Sequence, residues 1–178
     1  MMYSNLLKQM LVASIDELSK TPENYAVHPQ KDFTRNRKIG FHDFLLLLTM
    51  EDNCLREELY HFFGRSDETP AKAAFYHQRA KLKDGALWEL LQIFNQKLQP
   101  TLYRERYRLV ACDGSVADIF RDEKDTETYF EPNNKFPRGF NQIHINALYS
   151  ILDKQFLDVL VQPARKRNEY SAFCEMVD

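Results

Sequence analysis

The spacing of apolar residues changes at Pro100, and this change constrains the fold more than any other feature of the chain. Before Pro100 the apolar residues recur every three or four positions, which is typical of amphipathic helices. After Pro100 short apolar runs alternate with polar loops, which is typical of strands. The sequence therefore predicts two parts, 1–100 and 101–178, with different secondary structure.

The first part predicts a small helical domain with one long loop at 21–38, where two prolines interrupt the periodicity. Gly64 marks the end of one helix, and a Thr-Pro pair at 69–70 fits an N-cap followed by the first helical residue. The predicted helices cover residues 3–18, 41–49, 54–63, 69–82 and 85–98.

The second part predicts three strands followed by a helix. A polar loop at 121–138 separates the first strand from a hairpin whose tight turn contains Asp153 and Lys154. The predicted strands cover residues 107–112, 140–151 and 156–162, and a helix begins at Asn168. Because a sheet has on average about five or six strands, we expect the chain to be the front part of a longer protein.

Composition and charge place few limits on function. The chain has 178 residues, 44% of them hydrophobic and 28% charged, with a formal net charge of −2. These values are ordinary for a globular protein and exclude a wholly disordered chain. A chain without net positive charge can bind nucleic acid only through local clusters of basic residues.

Cysteine usage and the absence of targeting signals predict a cytoplasmic protein with no membrane partner. The three cysteines are odd in number and far apart, which argues against a disulfide framework and against a zinc knuckle. The longest apolar run, 44–50, is too short to span a bilayer, and the N-terminus lacks the features of a signal peptide.

One acid stands where a core strand is predicted to end. The stretch RLVACDGSVADIF, residues 108–120, begins with an apolar run without alternation, which predicts a strand covered on both faces, and Asp113 follows at its C-terminal edge. Asp-Gly is a common turn pair. The alternative interpretation is that Asp113 offers its carboxylate to a divalent cation and that Gly114 keeps the adjacent space open.

A single carboxylate cannot hold the two ions that metal-dependent phosphoryl transfer uses. Glu169 and Glu175, on the predicted last helix, could complete a site with Asp113, although acids on a helix surface are usually solvated. The five histidines lack metal-ligand spacing, so each is expected to be structural or exposed.

Two basic clusters allow a DNA-binding interpretation. In the stretch 69–85, Phe75 and Leu82 share one side of a predicted helix, and a basic group formed by Lys72, Arg79 and Lys83 lies on another. A short basic helix after a tight turn contacts DNA phosphates in helix-turn-helix proteins. The alternative is an ordinary amphipathic helix with a solvated basic side.

The second cluster, Arg165, Lys166 and Arg167, lies between a predicted strand and the last helix. These side chains could bind phosphates near the strand ends, or they could belong to a solvated connection. The same two interpretations apply to Arg35, Arg37 and Lys38 in the early loop.

Four stretches in a fixed order resemble a known family. FTRNRKIGFHDFLLLLTMEDNCLREELYHFF, TPAKAAFYHQRAKL, LVACDGSVADI and GFNQIHINALYSILDKQFLDVLVQPARKRNE together resemble the N-terminal part of bacterial DDE insertion-sequence transposases of the insertion-sequence-four family. The resemblance implies an α+β or α/β protein. By this resemblance we expect the first part of the chain, 1–100, to be an all-helical DNA-binding domain. We expect the second part, 101–178, to hold the first strands of an incomplete ribonuclease-H-like catalytic domain.

The resemblance also implies roles for individual residues. Asp113 matches the first catalytic aspartate, a ligand of Mg²⁺ (or Mn²⁺) in the full-length enzyme, which carries out phosphodiester hydrolysis and strand transfer. The helical part binds double-stranded DNA at the element ends, with contacts expected from Lys72, Arg79, Lys81 and Lys83. The second Asp and the Glu of the family lie further on, so we expect this chain to be inactive alone.

Further partners and alternative functions follow from the same resemblance. The chain is expected to pair with itself or with full-length transposase. One alternative is a non-catalytic DNA-binding or regulatory remnant of a transposase. A weaker one is a ribonuclease-H-like nuclease, which requires Glu169 or Glu175 close to Asp113.

Overall fold

The structure, a computed structural model, describes residues 2–49 and 54–177. Its contacts divide the chain into two units, Met1–Lys97 and Leu98–Asp178. In the described residues the first unit is helical and the second contains an antiparallel sheet and one α-helix. The chain is therefore a mixed α/β protein.

Within the described part of the first unit there are five α-helices, and the spacing of apolar residues predicts all five. The helix expected at 69–82 is shorter than predicted. Thr69 is not its N-cap, because its hydroxyl donates to the carbonyl of Gly64 and accepts a hydrogen bond from the Ser66 amide at 3.1 Å. The helices are α1 (Met2–Leu18), α2 (Phe41–Leu48), α3 (Leu55–Phe63), α4 (Lys72–Arg79) and α5 (Ala86–Gln96).

Helix α2 lies at the centre of the helical unit because six of its eight residues are apolar. One side of α2, with Phe41 and Leu45, packs against α1 and α5. Another side, with Phe44 and Leu47, packs against Leu59 of α3 and Phe75 of α4. Burying such side chains stabilises a fold by about 1.5–3 kcal/mol each, so α2 fixes the positions of the helices around it.

The second unit is built around one long strand. The strands are β1 (Val110–Ile119), β2 (Tyr129–Phe130), β3 (Phe140–Ser150) and β4 (Gln155–Pro163). β3 pairs antiparallel with each of the other three. Asn141 of β3 is paired with both β1 and β2, so β2 lies on the other side of β3 from β1. A short 3-10 turn, Ala164–Lys166, leads from β4 to α6 (Glu169–Val177), which packs on β1, β3 and β4.

The predicted hairpin is confirmed, but the prediction for the first strand is wrong in two respects. β1 begins at Val110 and continues to Ile119, because ten of its residues pair with β3 without interruption. It is also mostly exposed and not covered on both faces. The loop predicted at 121–138 contains the short strand β2, which pairs with the beginning of β3.

The side chains of β3 alternate in an unexpected way. The buried positions on the side covered by α6 include three polar residues, His144, Asn146 and Ser150, together with Leu148. The apolar residues between them are half-buried on the opposite side of the sheet. Among residues 2–49 and 54–177, no helix has both the length and the apolarity needed to cross a bilayer.

The hairpin turn contains a carboxylate with a lowered pKa. Asp153 accepts hydrogen bonds from the Ser150 hydroxyl at 2.6 Å and from the Thr101 amide at 2.8 Å. These two bonds, mainly that of Ser150, lower the pKa of Asp153, and the charge of Arg108 contributes further. The ionised form is therefore favoured in the folded state.

We predict that Asp153→Asn destabilises the sheet unit at neutral pH. Because the pKa of Asp153 is lower in the folded state, its contribution is complete above the unfolded pKa near 4 and disappears as the pH falls below it. The difference between the urea midpoints of the wild type and the variant, followed by circular dichroism, is expected to shrink between pH 5 and pH 2. Glu175→Gln, which removes one exposed carboxylate, is the control. A difference that stays constant with pH would contradict this role.

Candidate nucleic-acid interface and the surroundings of Asp113

Helix α4 has a buried side and an exposed basic side. Phe75 and Gln78 are buried against the core. Lys72, Tyr76 and Arg79 follow one another at spacings of four and three residues, so they lie along one side of the helix, and all three are exposed. We call these three residues the basic strip. The position of Lys72 and Arg79 agrees with the amphipathic pattern of the sequence.

Lys81 and Lys83 are engaged within the helical unit. The Lys81 ammonium donates to the side-chain oxygen of Gln78 at 2.8 Å and lies 5.8 Å from the ring centroid of Phe33. The Lys83 ammonium donates to the carbonyl of Asn24 at 3.0 Å. Both lysines therefore attach the loop after α1 to the end of α4, although sequence reasoning grouped them with the DNA-binding residues.

The loop after α1 is joined to α4 at two places. At one, the Val27 amide donates to the carbonyl of Lys81 and the Lys83 amide donates to the carbonyl of Tyr25, each at 2.8 Å. At the other, the side-chain amide of Gln78, which is only 5% exposed, donates to the carbonyl of Ile39 at 2.6 Å. The second bond lies in the interior and holds the end of the loop against α4.

Two adjacent cavities lie between this loop and α4, with volumes of about 350 and 700 Å³, and Arg37, Ile39, Gln78 and Lys81 line both. We call the combined depression the basic groove. Its lining includes six basic or imidazole side chains: Lys31, Arg35, Arg37, Lys38, His77 and Lys81.

The groove contains one carboxylate, Asp32, which is 7% exposed and accepts a hydrogen bond from the His28 amide at 3.0 Å. The fold therefore brings the Arg35–Lys38 cluster next to α4, and it adds Lys31 and His77, which the sequence analysis did not single out. Lys31 and His77 are 46 positions apart in the chain, so no local pattern of the sequence connects them.

Asp113 lies inside β1 and not at its end, which corrects the prediction from the sequence. Its register partner is Ala147 of β3, and the strand continues for six residues beyond it. The side chain is exposed, and its Oδ1 accepts a hydrogen bond from the Gly114 amide at 2.8 Å. Asp113 is thus neither a turn residue nor an acid at the edge of a buried strand.

Gly114 lies over a buried histidine on the side of the sheet that α6 covers. A Cβ at Gly114 would come within 2.4 Å of His144 Nε2 and 3.0 Å of Glu169 Oε1. His144 is 2% exposed, its Nε2 lies 3.4 Å from Glu169 Oε1, and neither ring nitrogen makes a hydrogen bond within the described residues. Burial and then the charge of Glu169 raise the pKa of the nearby Cys112 thiol.

Asp113 and Glu169 lie on opposite sides of β1. Successive side chains of a strand point to opposite faces, so Asp113 points away from the face on which Gly114 meets Glu169. Glu175 belongs to the same helix as Glu169. Within residues 2–49 and 54–177, no three His, Cys, Asp or Glu side chains are close enough to hold a metal ion. Asp113 alone therefore does not provide the ligands of a two-ion site.

The basic residues near α6 have partners in the loop before β2. Arg165 donates to the carbonyl of Thr126 at 3.3 Å, and its guanidinium lies 5.5 Å from the ring centroid of Phe130. Lys166 forms an ion pair with Glu127. Arg167 is exposed. Two of the three residues in this cluster therefore contact other parts of the sheet unit, and contact of the cluster with DNA stays a prediction.

The sequence does not indicate that His144 is buried near Gly114 and Glu169. His144 stands in β3 two positions before Asn146, so both side chains point to the same face, and the flanking isoleucines point to the other. A polar alternation normally marks the solvated face of an antiparallel sheet. The helix that follows β4 covers this polar face instead, and nothing in the local pattern indicates that choice.

We predict that Gly114→Ala destabilises the sheet unit by about 1–3 kcal/mol, because the added methyl group overlaps the buried His144 ring. In the double variant Gly114→Ala/His144→Ala the ring is absent, so the cost of the methyl group is expected to fall. Urea denaturation of the two single variants and the double variant measures this coupling. Ser115→Ala, at the exposed neighbouring position, is the control. Strict additivity of the two changes would disprove the contact.

A comparison of this chain with models of known protein families, with curated proteins and with solved structures finds no match. Membership of a transposase family therefore stays a proposal.

Proposed function

We propose that this chain is the N-terminal part of a DDE-type cut-and-paste transposase and that its helical unit binds double-stranded DNA at the ends of a mobile element. The observation that carries DNA binding is the basic strip. Lys72 and Arg79 extend from one side of α4 and Tyr76 lies between them, while the core fixes the helix from behind. Exposed cations on a rigid helix provide the phosphate contacts that position a protein on DNA.

The dimensions of α4 are compatible with this interpretation. An α-helix with its side chains is about 10–12 Å wide, and the major groove of B-DNA is about 12 Å wide. α4 packs against α3 and follows it after an eight-residue connection, 64–71. In helix-turn-helix proteins the second of two packed helices enters the major groove, although their turn has only about 3–4 residues. Tyr76, with a ring that is 54% exposed, adds an aromatic surface and a hydroxyl group between the two cations.

The sheet unit supports the transposase part of the proposal through the order of its elements. A strand, a long connection, a hairpin and a helix follow one another, as the resemblance implies for the beginning of a ribonuclease-H-like domain. The exposed Asp113 is then one carboxylate of a site whose other Mg²⁺ or Mn²⁺ ligands come from outside this chain. Hydrolysis and strand transfer are proposed for the full-length enzyme.

A second candidate is a non-catalytic DNA-binding protein that regulates transposition, alone or paired with full-length transposase. The observation that favours it is the separation of Asp113 and Glu169 by the sheet, which leaves Asp113 without a carboxylate partner from α6. The same geometry gives no support to a nuclease that uses Glu169 or Glu175. Both remaining candidates use the same DNA-binding surface.

We predict that the double variant Lys72→Ala/Arg79→Ala binds DNA about tenfold or more weakly than the wild type. Loss of two phosphate contacts also lowers the slope of log affinity against log salt by about 2. Fluorescence anisotropy with a duplex that carries the terminal repeats flanking the coding sequence measures both quantities.

The matched control is Lys8→Ala/Lys20→Ala, which removes two exposed cations elsewhere in the helical unit. If both double variants lose affinity equally, general charge and not the basic strip determines binding. If the wild type shows no salt-dependent binding to any duplex, the proposed function is wrong.

We predict that the purified chain alone neither nicks nor joins DNA. A supercoiled plasmid carrying the element ends is incubated with the chain and Mg²⁺ or Mn²⁺, and relaxed and linear products are measured on a gel. Wild type and Asp113→Asn are expected to give the same background. Metal-dependent cleavage that Asp113→Asn abolishes would show that Asp113 has its catalytic partners within this chain.

A further inference from the structure

The basic groove and the basic strip lie on different sides of α4. Successive helical residues are about 100° apart because a turn has 3.6 residues. Ala74 and His77 line the groove. Around the helix axis they lie roughly opposite the basic strip. The small, exposed side chain of Ala73 lies between the two sides. Cationic side chains therefore flank α4 on both sides of Ala73, those of the basic strip on one side and those of the basic groove on the other.

The charge of the groove comes from one basic segment of the loop and from Lys81 and His77, which the fold places beside it, and not from an overall excess of cations. Residues 1–97 contain thirteen Lys and Arg and thirteen Asp and Glu, so the helical unit has no formal net charge. Residues 30–40 carry four of these cations and a single acid, Asp32. The Asp32 carboxylate is buried and accepts a hydrogen bond from the His28 amide, whereas the four cations of this segment are exposed.

The groove is built on a fixed backbone. Phe33 has a left-handed conformation with φ of 57°, which costs a non-glycine residue about 1–2 kcal/mol. Its ring packs edge-on against Phe41 at 4.9 Å between centroids and holds the turn in place. At the other end of the segment Gln78 binds the carbonyl of Ile39. The intervening Arg35 and Arg37 therefore extend from a loop that is attached to the core at both ends.

We infer that α4 lies in the major groove of duplex DNA with the basic strip against the phosphates of one strand and the basic groove against the phosphates of the other. This inference rests on the proposed function and adds a second contact surface to it. A helix about 10–12 Å wide fills the groove, so side chains that border it on both sides meet both backbones. Arg35 and Arg37 are the main contacts, because Lys38 is paired with Glu68 at 2.9 Å.

The first test is the double variant Arg35→Ala/Arg37→Ala, measured by anisotropy with a fluorescein-labelled 30-base-pair duplex of mixed sequence. Affinity is expected to fall about three- to tenfold, and the salt slope is expected to fall by about 2. The charge-preserving variant Arg35→Lys/Arg37→Lys is expected to keep the wild-type slope. Circular dichroism and the fluorescence of Trp88 show whether each variant is folded.

The second test is ethylation interference on the same duplex, which identifies the phosphates that each variant contacts. The wild type is expected to contact phosphates on both strands across one major groove. Lys72→Ala/Arg79→Ala is expected to lose the contacts on one strand, and Arg35→Ala/Arg37→Ala those on the other. Lys8→Ala/Lys20→Ala is the control and is expected to keep both sets.

The outcomes separate this inference from the proposed function. If Lys72→Ala/Arg79→Ala weakens binding while Arg35→Ala/Arg37→Ala binds and footprints like the wild type, the groove inference is wrong and DNA binding by the basic strip stands. Loss of the same phosphates in both variants also overturns the two-strand geometry. Tighter binding of single-stranded RNA of equal length than of the duplex contradicts it as well. If the wild type binds no duplex, both proposals fail.

Discussion

The hydrogen bond from Gln78 to the carbonyl of Ile39 joins the two parts of the helical unit on which the functional proposals depend. It is short and buried, so breaking it would leave both an amide and a carbonyl without a partner in the interior, a cost of about 1–3 kcal/mol for each. Ile39 ends the loop that carries Arg35 and Arg37, and Gln78 belongs to α4. The bond fixes the end of the loop that carries the cations, while the hydrogen bonds of Val27 and Lys83 fix its beginning.

The sheet unit depends in a similar way on β3, which supplies the pairing partners of all the other strands in the described residues. The hairpin with β4 is predictable from two apolar runs and a turn, and the helices of the first unit are predictable from their periodicity. The length of β1 is not predictable in this way, because Asp and Gly, the residues at 113 and 114, commonly form turns. Ten consecutive pairings with β3 override that local preference, and register with a distant strand is not visible in a local pattern.

The candidate interface could be predicted only in part. The exposure of Lys72 and Arg79 follows from helical spacing alone, since the buried residues of α4 fix which side is outward. The internal roles of Lys81 and Lys83 do not follow from it, because the Phe33 ring and the Asn24 carbonyl that they contact lie 48 and 59 positions earlier in the chain. The basic groove has the same origin in long-range contacts. The buried position of His144 depends on which face of the sheet α6 covers, and its own strand carries no signal for that choice.

Lys81 combines structural and electrostatic roles that are separate elsewhere on this surface. Its ammonium binds Gln78, lies over the ring of Phe33 and lines both cavities of the basic groove. Because Lys72 and Arg79 are exposed on the outer side of α4, a substitution there is expected to alter charge more than packing, whereas a substitution at Lys81 is expected to alter both. The mutational tolerance of this surface is therefore uneven. Surface charge can be changed gradually along the basic strip, while Lys81 is constrained by the packing beneath it.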